Sequence, residues 1–171
     1  MSKPQVQDFP PYFGRYISQA DAESLSEAIE KYAPLLIAFY VGLPEEKATF
    51  SYAKGKWSLK ELLLHVIDTE RVMAYRLLRF VRKDKTPLAS FDENLFAANS
   101  LANDRSFGSI KEEFVAVRKS TDLLIQSLSE EQLKEKGMAS NLSITANAIG
   151  YIIFGHMLHH KMVVEEKYLA I

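Results

Sequence analysis

Apolar residues return at three- and four-residue steps along most of this chain, and the steps break at a few prolines and glycines. Over residues 20–41 the repeat runs through Leu25, Ile29, Tyr32, Leu36 and Phe39, the period of a helix with one buried face. Residues 56–81 carry a stronger version. There Ser58 followed by Glu61 spells a capping box, in which the serine oxygen accepts from a first-turn amide and the glutamate reaches back to the cap. A third helix is expected over 110–128, with Phe114, Val117, Leu124 and Leu128 inward and Lys111, Glu112, Arg118 and Lys119 outward. The last and longest is expected over 143–169. Residues 92–101 and 129–136 predict short connecting helices.

The breakers fall between these stretches: Pro44, Gly55, Pro87, Gly108 and Gly137. No alternating run is bounded by hairpin turn residues, so no strand is expected. The pattern predicts an all-α protein, a four-helix bundle with short connecting helices. Pro4, Pro10 and Pro11 mark residues 1–18 as an irregular arm packing on the bundle, and 19–171 form the bundle domain.

Composition narrows the picture. A chain of 171 residues, 47% hydrophobic and 25% charged, suits one soluble domain with a sizeable core. A net charge of −1 and a pI near 6.4 argue against a nucleic-acid partner. Without cysteine, neither disulfides nor thiolate metal ligands are available. The N-terminal residues lack an apolar signal core, and no run of ~18 apolar residues can span a membrane. A cytoplasmic protein is expected by elimination.

Three of the four histidines, His156, His159 and His160, crowd one short stretch of the last helix. His156 and His160 are four apart and so stack on one face, in line with Ile149, Ile152, Val163 and Val164. His159 is rotated about 100° from His160 and cannot share its ligand position. The fourth, His65, lies at the margin of the apolar face of the second helix, near Leu62, Glu61, Asp68 and Thr69. Neutral imidazoles on the inner side of a bundle need partners for both ring nitrogens. A divalent ion would take one nitrogen from each and leave the other to donate to a carboxylate, carbonyl or water. Three protein ligands leave positions open for water or substrate, the pattern of a catalytic site. Solvated helical histidines at the same spacing are the plainer alternative.

The segments YAKGKWSLKELLLHVIDTERVMAYRLLRFVRKDKTPLASFDEN and AIGYIIFGHMLHHKMVVEEKYL carry a resemblance. The chain resembles the DinB/YfiT-like superfamily of bacterial four-helix-bundle metalloproteins, through W-S-x-K-E-x-x-x-H on the second helix, G-H-x-x-H-H on the last, and the connector pieces DKTPL and FDEN. The resemblance implies that His65, His156 and His160 hold a divalent transition metal, zinc or nickel foremost, with His159 flanking the site. It also implies a small-molecule substrate. Some relatives are transferases using low-molecular-weight thiols such as bacillithiol, and a more distant branch includes a mycothiol-dependent isomerase. A thiol S-transferase is the leading expectation, with a metal-dependent hydrolase or a non-catalytic, stress-associated metal-binding bundle as alternatives. Relatives often pair through helix faces, so a homodimer is expected.

Other residues carry weaker signals. Asp68 and Glu61 can orient imidazoles or be solvated. Arg71, Arg76, Arg79 and Arg82 can include a clamp for a substrate carboxylate or form a charged face with buried stems. Asp92 and Glu93 can reach the metal end or cap a loop. Trp57 reads as a loop anchor, and the aromatic arm FPPYFGRYI as packing rather than ligand binding.

Overall fold

Hydroxyl side chains set where the long helices begin. Ser24, Ser58, Ser106 and Thr145 each accept a hydrogen bond from the amide three residues on, which satisfies a donor the helix itself leaves unpaired. In the computed structural model, which describes residues 1–170, the elements run α1 (Gly14–Ile17), α2 (Leu25–Val41), α3 (Leu59–Val81), α4 (Glu93–Asn99), α5 (Phe107–Gln126), α6 (Glu130–Leu133), strands β1 (Lys136–Ala139) and β2 (Leu142–Thr145), and α7 (Ala146–Val164). The chain then widens into a π-helical turn over Glu165–Leu169. Ile171, the last residue of the expected bundle domain, lies outside the described residues. No described helix is long and apolar enough to cross a membrane.

The helices α2, α3, α5 and α7 form the bundle. α3 packs on α5 and α7, and α2 packs on the same two, so consecutive α2 and α3 sit diagonally across the core. The capping box of Ser58 and Glu61 forms as expected from the sequence. α2 starts later than the apolar repeat suggests. Ala20 and Ala22 are buried but lie before the Ser24 cap, outside the helix.

Two expectations are corrected. Residues 142–145 are not the start of the last helix but the second strand of an antiparallel hairpin with β1. Its turn is Ser140–Asn141, both at positive φ (53° and 61°), the left-handed conformation that two-residue hairpin turns use. Asparagine tolerates that conformation well, and it was the available signal. Second, Arg118 is not on an outer face. It is fully buried, with Nη1 2.8 Å from Glu70 Oε1 and Nη2 2.9 Å from Asp122 Oδ1. The Glu70 approach falls outside hydrogen-bond angles and is a contact of charge.

The N-terminal arm is tied to the bundle along its length. The Met1 ammonium meets Glu130 at 2.6 Å, the Asn147 amide donates to the Ser2 carbonyl at 2.9 Å, and α1 lies on α7. The closest approach is at Gly155, where an added Cβ would stand 2.0 Å from the Tyr16 carbonyl oxygen. Backbone cannot swing aside as a side chain can. Gly155→Ala is therefore expected to destabilise the protein by at least the roughly 1–3 kcal/mol typical of overpacking and to loosen the arm. Denaturant unfolding with proteolysis of the arm as a second readout checks this; an unchanged midpoint would contradict the close approach.

Candidate metal centre

α3 and α7 run side by side in opposite senses, so a residue near the start of α3 meets the later half of α7. His65 thereby reaches His156 and His160. Their Nε2 atoms form a triangle with edges of 3.2, 3.2 and 3.1 Å. An edge of that length divided by √3 puts the centre about 1.8 Å from each corner, inside the ~2.0–2.1 Å of a zinc–imidazole bond. His65, His156 and His160 are thus spaced so that they could hold one such ion together.

The protonation state suits such an ion. Burial is the main cause in each case: it lowers His65 to about 4 and His160 to about 3, and holds His156 well below its ordinary value. The neighbouring imidazoles depress His156 and His160 further, whereas the Glu93 carboxylate works the other way on His65. At neutral pH all three rings are neutral, with lone pairs available as ligands. Three converging neutral nitrogens cannot satisfy one another, since each edge can hold at most one hydrogen bond and a ring nitrogen has one role in a given tautomer. Nδ1 of His156 and Nδ1 of His160 are buried without a hydrogen-bond partner. The residues present fit a divalent cation.

The same shifts have a consequence for stability. An unfolded histidine titrates near 6.5, and these titrate lower when folded, so below about pH 6.5 the unfolded chain binds more protons. Stability present above that pH is lost as the pH falls toward 4 and 3, with a slope of up to about 1.4 kcal/mol per pH unit for each histidine. Chelated protein is expected to show a falling denaturation midpoint between pH 7.5 and 5. A flat profile would count against buried neutral rings.

The surroundings of the triangle come from separate elements. Trp57, just before α3, tilts its ring against His65 with centroids 4.7 Å apart. Tyr16 of α1 presents its ring edgewise to His156 and His159, at 5.4 and 5.6 Å. His159 lies beside His160 but outside the convergent trio. The trio opens into a cleft of about 290 Å³ that is also lined by Arg76, Phe91 and Glu93.

Two independent likenesses bear on this arrangement. The sequence profile of the DinB superfamily matches residues 28–163, most of the chain and both histidine-bearing helices. The chain belongs to the DinB superfamily. YfiT from Bacillus subtilis, described as a probable metal-dependent hydrolase with an unusual four-helix bundle topology, is similar in structure at a TM-score of 0.65 and 14% identity. The likeness covers 85% of this chain and 90% of YfiT, and at that identity it speaks to the fold. No curated protein matches this DinB-superfamily chain in sequence.

The remaining sequence candidates separate cleanly. Glu61 is spent on the Ser58 cap and Asp68 pairs with Arg71 at 3.6 Å, so neither touches an imidazole. Of the four arginines, Arg71 pairs with Glu113, Arg79 pairs with Asp84, and Arg82 is exposed. Only Arg76 lines the cleft. Asp92 caps α4, while Glu93 beside it reaches the cleft. Trp57 and the arm do more than pack: both wall the site, because Trp57, Tyr12, Phe13, Arg15 and Tyr16 line the same cleft. Aromatic residues far apart in sequence carry no mark of which cavity they will share, so that role was not legible.

Proposed function

We propose that this DinB-superfamily protein is a divalent-metal-dependent enzyme acting on a small molecule, with His65, His156 and His160 as the metal ligands and zinc or nickel as the ion. The observation that carries the reading is the convergence of three neutral Nε2 atoms, 3.1–3.2 Å apart, at the end of an open cleft. A metal serving only to cement helices is normally enclosed by four protein ligands. Here three converge and the cleft provides access to the remaining positions.

A cation held by neutral ligands keeps its full charge and lowers the pKa of a bound water or thiol toward neutrality. The chain's own residues do the rest. The three imidazoles stay unprotonated through burial and so remain able to bind. Trp57 and Tyr16 hold two of the rings by edge and face contacts and narrow the approach of bulk water. The apolar side chains of Phe13, Met73 and Phe91 give the cleft a surface on which an organic substrate can lie.

The finer assignment we favour is S-transfer, in which a low-molecular-weight thiol supplies the nucleophilic sulfur that a cysteine-free chain lacks. Hydrolysis is the second reading, favoured by the description of YfiT. Metal analysis followed by two assays on one preparation separates them. Bacillithiol with 1-chloro-2,4-dinitrobenzene reports S-conjugation, and p-nitrophenyl acetate reports hydrolysis. Metal-dependent conjugation above the ester rate supports transfer; the reverse ranking supports the hydrolase. Protein that folds yet holds no stoichiometric metal would overturn both.

A further inference from the structure

The cleft has a second polar end that the metal reading does not use. Arg76 lies eleven residues after His65 on α3. Eleven residues are three turns and about 20°, so the two side chains share one stripe of the helix, about 16 Å apart along its axis. Thr69 and Met73 lie between them on the cleft wall.

Arg76 is only 5% exposed, yet no carboxylate of the described residues lies within ion-pair distance of it. Arg118, buried completely, shows the ordinary arrangement with two acids against it. A buried cation without a counter-charge is costly. Nη2 of Arg76 donates to the Ala89 carbonyl and to Ser140 Oγ, both at 2.9 Å, but Nη1 finds only the Met73 sulfur at 3.8 Å. Because Ser140 accepts from Arg76, its own O–H is left to donate. Thr69, on the wall between the two ends, is also 5% exposed, and its hydroxyl has no partner. A helical threonine usually bonds the carbonyl one turn back, as Thr121 does to Val117. Arg15 and Arg76 against Glu93 leave the cleft with a net charge of +1 from its side chains when the histidines are neutral.

We infer that the cleft binds an elongated small molecule carrying a carboxylate, which seats against Arg76 Nη1 and the Ser140 hydroxyl while the reacting end faces the three histidines. The inference deepens the metal-dependent reading and rests on it for the identity of the reacting end. A single guanidinium edge with one hydroxyl matches a monoanion. The apolar wall between the two ends selects a hydrocarbon or aromatic body.

The test uses an acid and its neutral isostere, 3-phenylpropionate and 3-phenylpropionamide, titrated against the full chain as purified, with its metal content measured on the same sample. The acid is expected to bind about tenfold more tightly than the amide, the size of one hydrogen-bonded charge contact. Arg76→Gln is expected to bring the two within about twofold, and Ser140→Ala to weaken the acid by several-fold with the amide unchanged. The preference is expected to survive in His160→Ala, which disables the proposed metal site. Equal affinities on the parent protein overturn the inference even if Arg76→Gln fails to fold. A preference that disappears in His160→Ala but persists in Arg76→Gln places the carboxylate at the histidines and overturns it too. Absence of metal with the preference intact strikes the metal reading alone.

Discussion

His160→Ala is expected to abolish stoichiometric metal binding and any metal-dependent turnover, while the chain stays folded. His160 sits in the later half of α7, lines the cleft and is partly exposed, so truncating it opens no large cavity in the core. Its Nε2 is one corner of a triangle no wider than 3.2 Å, and the remaining pair, His65 and His156, supplies two ligands where three are needed for a tight site. The parent protein is expected to gain stability from saturating metal, about 2.7 kcal/mol at a free concentration a hundred times the dissociation constant. The variant is expected to lose that gain, so that its melting temperature no longer responds to added zinc. Elemental analysis of desalted protein and melts with and without chelator measure both effects. Retention of one tightly bound ion by the variant would remove His160 from the ligand set. A collapse of the metal-free fold would show that the residue is structural instead.

The largest loss of stability is expected at Arg118→Met. The guanidinium is buried completely between Glu70 and Asp122, with Met157 and the face of Phe154 around it. Methionine has a similar reach and fills much of the space, so the effect isolates charge. What remains is two buried acids with no cation between them, and breaking such an arrangement costs roughly 3–5 kcal/mol. For a chain of this length that corresponds to a fall in melting temperature of roughly 6–20 °C. Burial already raises Glu70 above the usual carboxylate range, with Arg118 the main influence holding it down. Without Arg118, Glu70 is expected to take up a proton at higher pH, so the deficit is expected to shrink on mild acidification. Adding Glu70→Gln to the variant is expected to recover part of the loss at neutral pH. A double variant no more stable than Arg118→Met alone would mean that the charge on Glu70 is not what costs the energy.

The contrast between Arg76 and Arg118 shows how far a sequence pattern reaches. Both were legible as charged residues on helices, and the usual reading sends such residues outward. Each instead lies inside, one against acids from α3 and its own helix, the other against a loop carbonyl and a hairpin serine. A helical period assigns a residue to a face. It does not say what the neighbouring helix presents there, and a buried arginine is tolerable only when that neighbour supplies acceptors or a ligand does. The hairpin eluded the pattern for a related reason. Its strands are four residues each, too short for an alternating signal, and they pair through backbone groups closed by a left-handed turn at Ser140 and Asn141.

From its residues alone the chain determined its helices, because apolar spacing and hydroxyl caps act within a few residues of each other. The same local logic put His156 and His160 on one face and marked them with His65 as candidates for a shared ion. Only the tertiary structure decided that α3 lies beside α7 and diagonal to α2, which brings the three Nε2 atoms within hydrogen-bond distance of one another. It alone folded the arm and Trp57 around them and set an unpaired arginine at the far end of the cleft. Contacts between residues a hundred positions apart depend on how whole helix faces pack, and no short stretch of sequence contains that information.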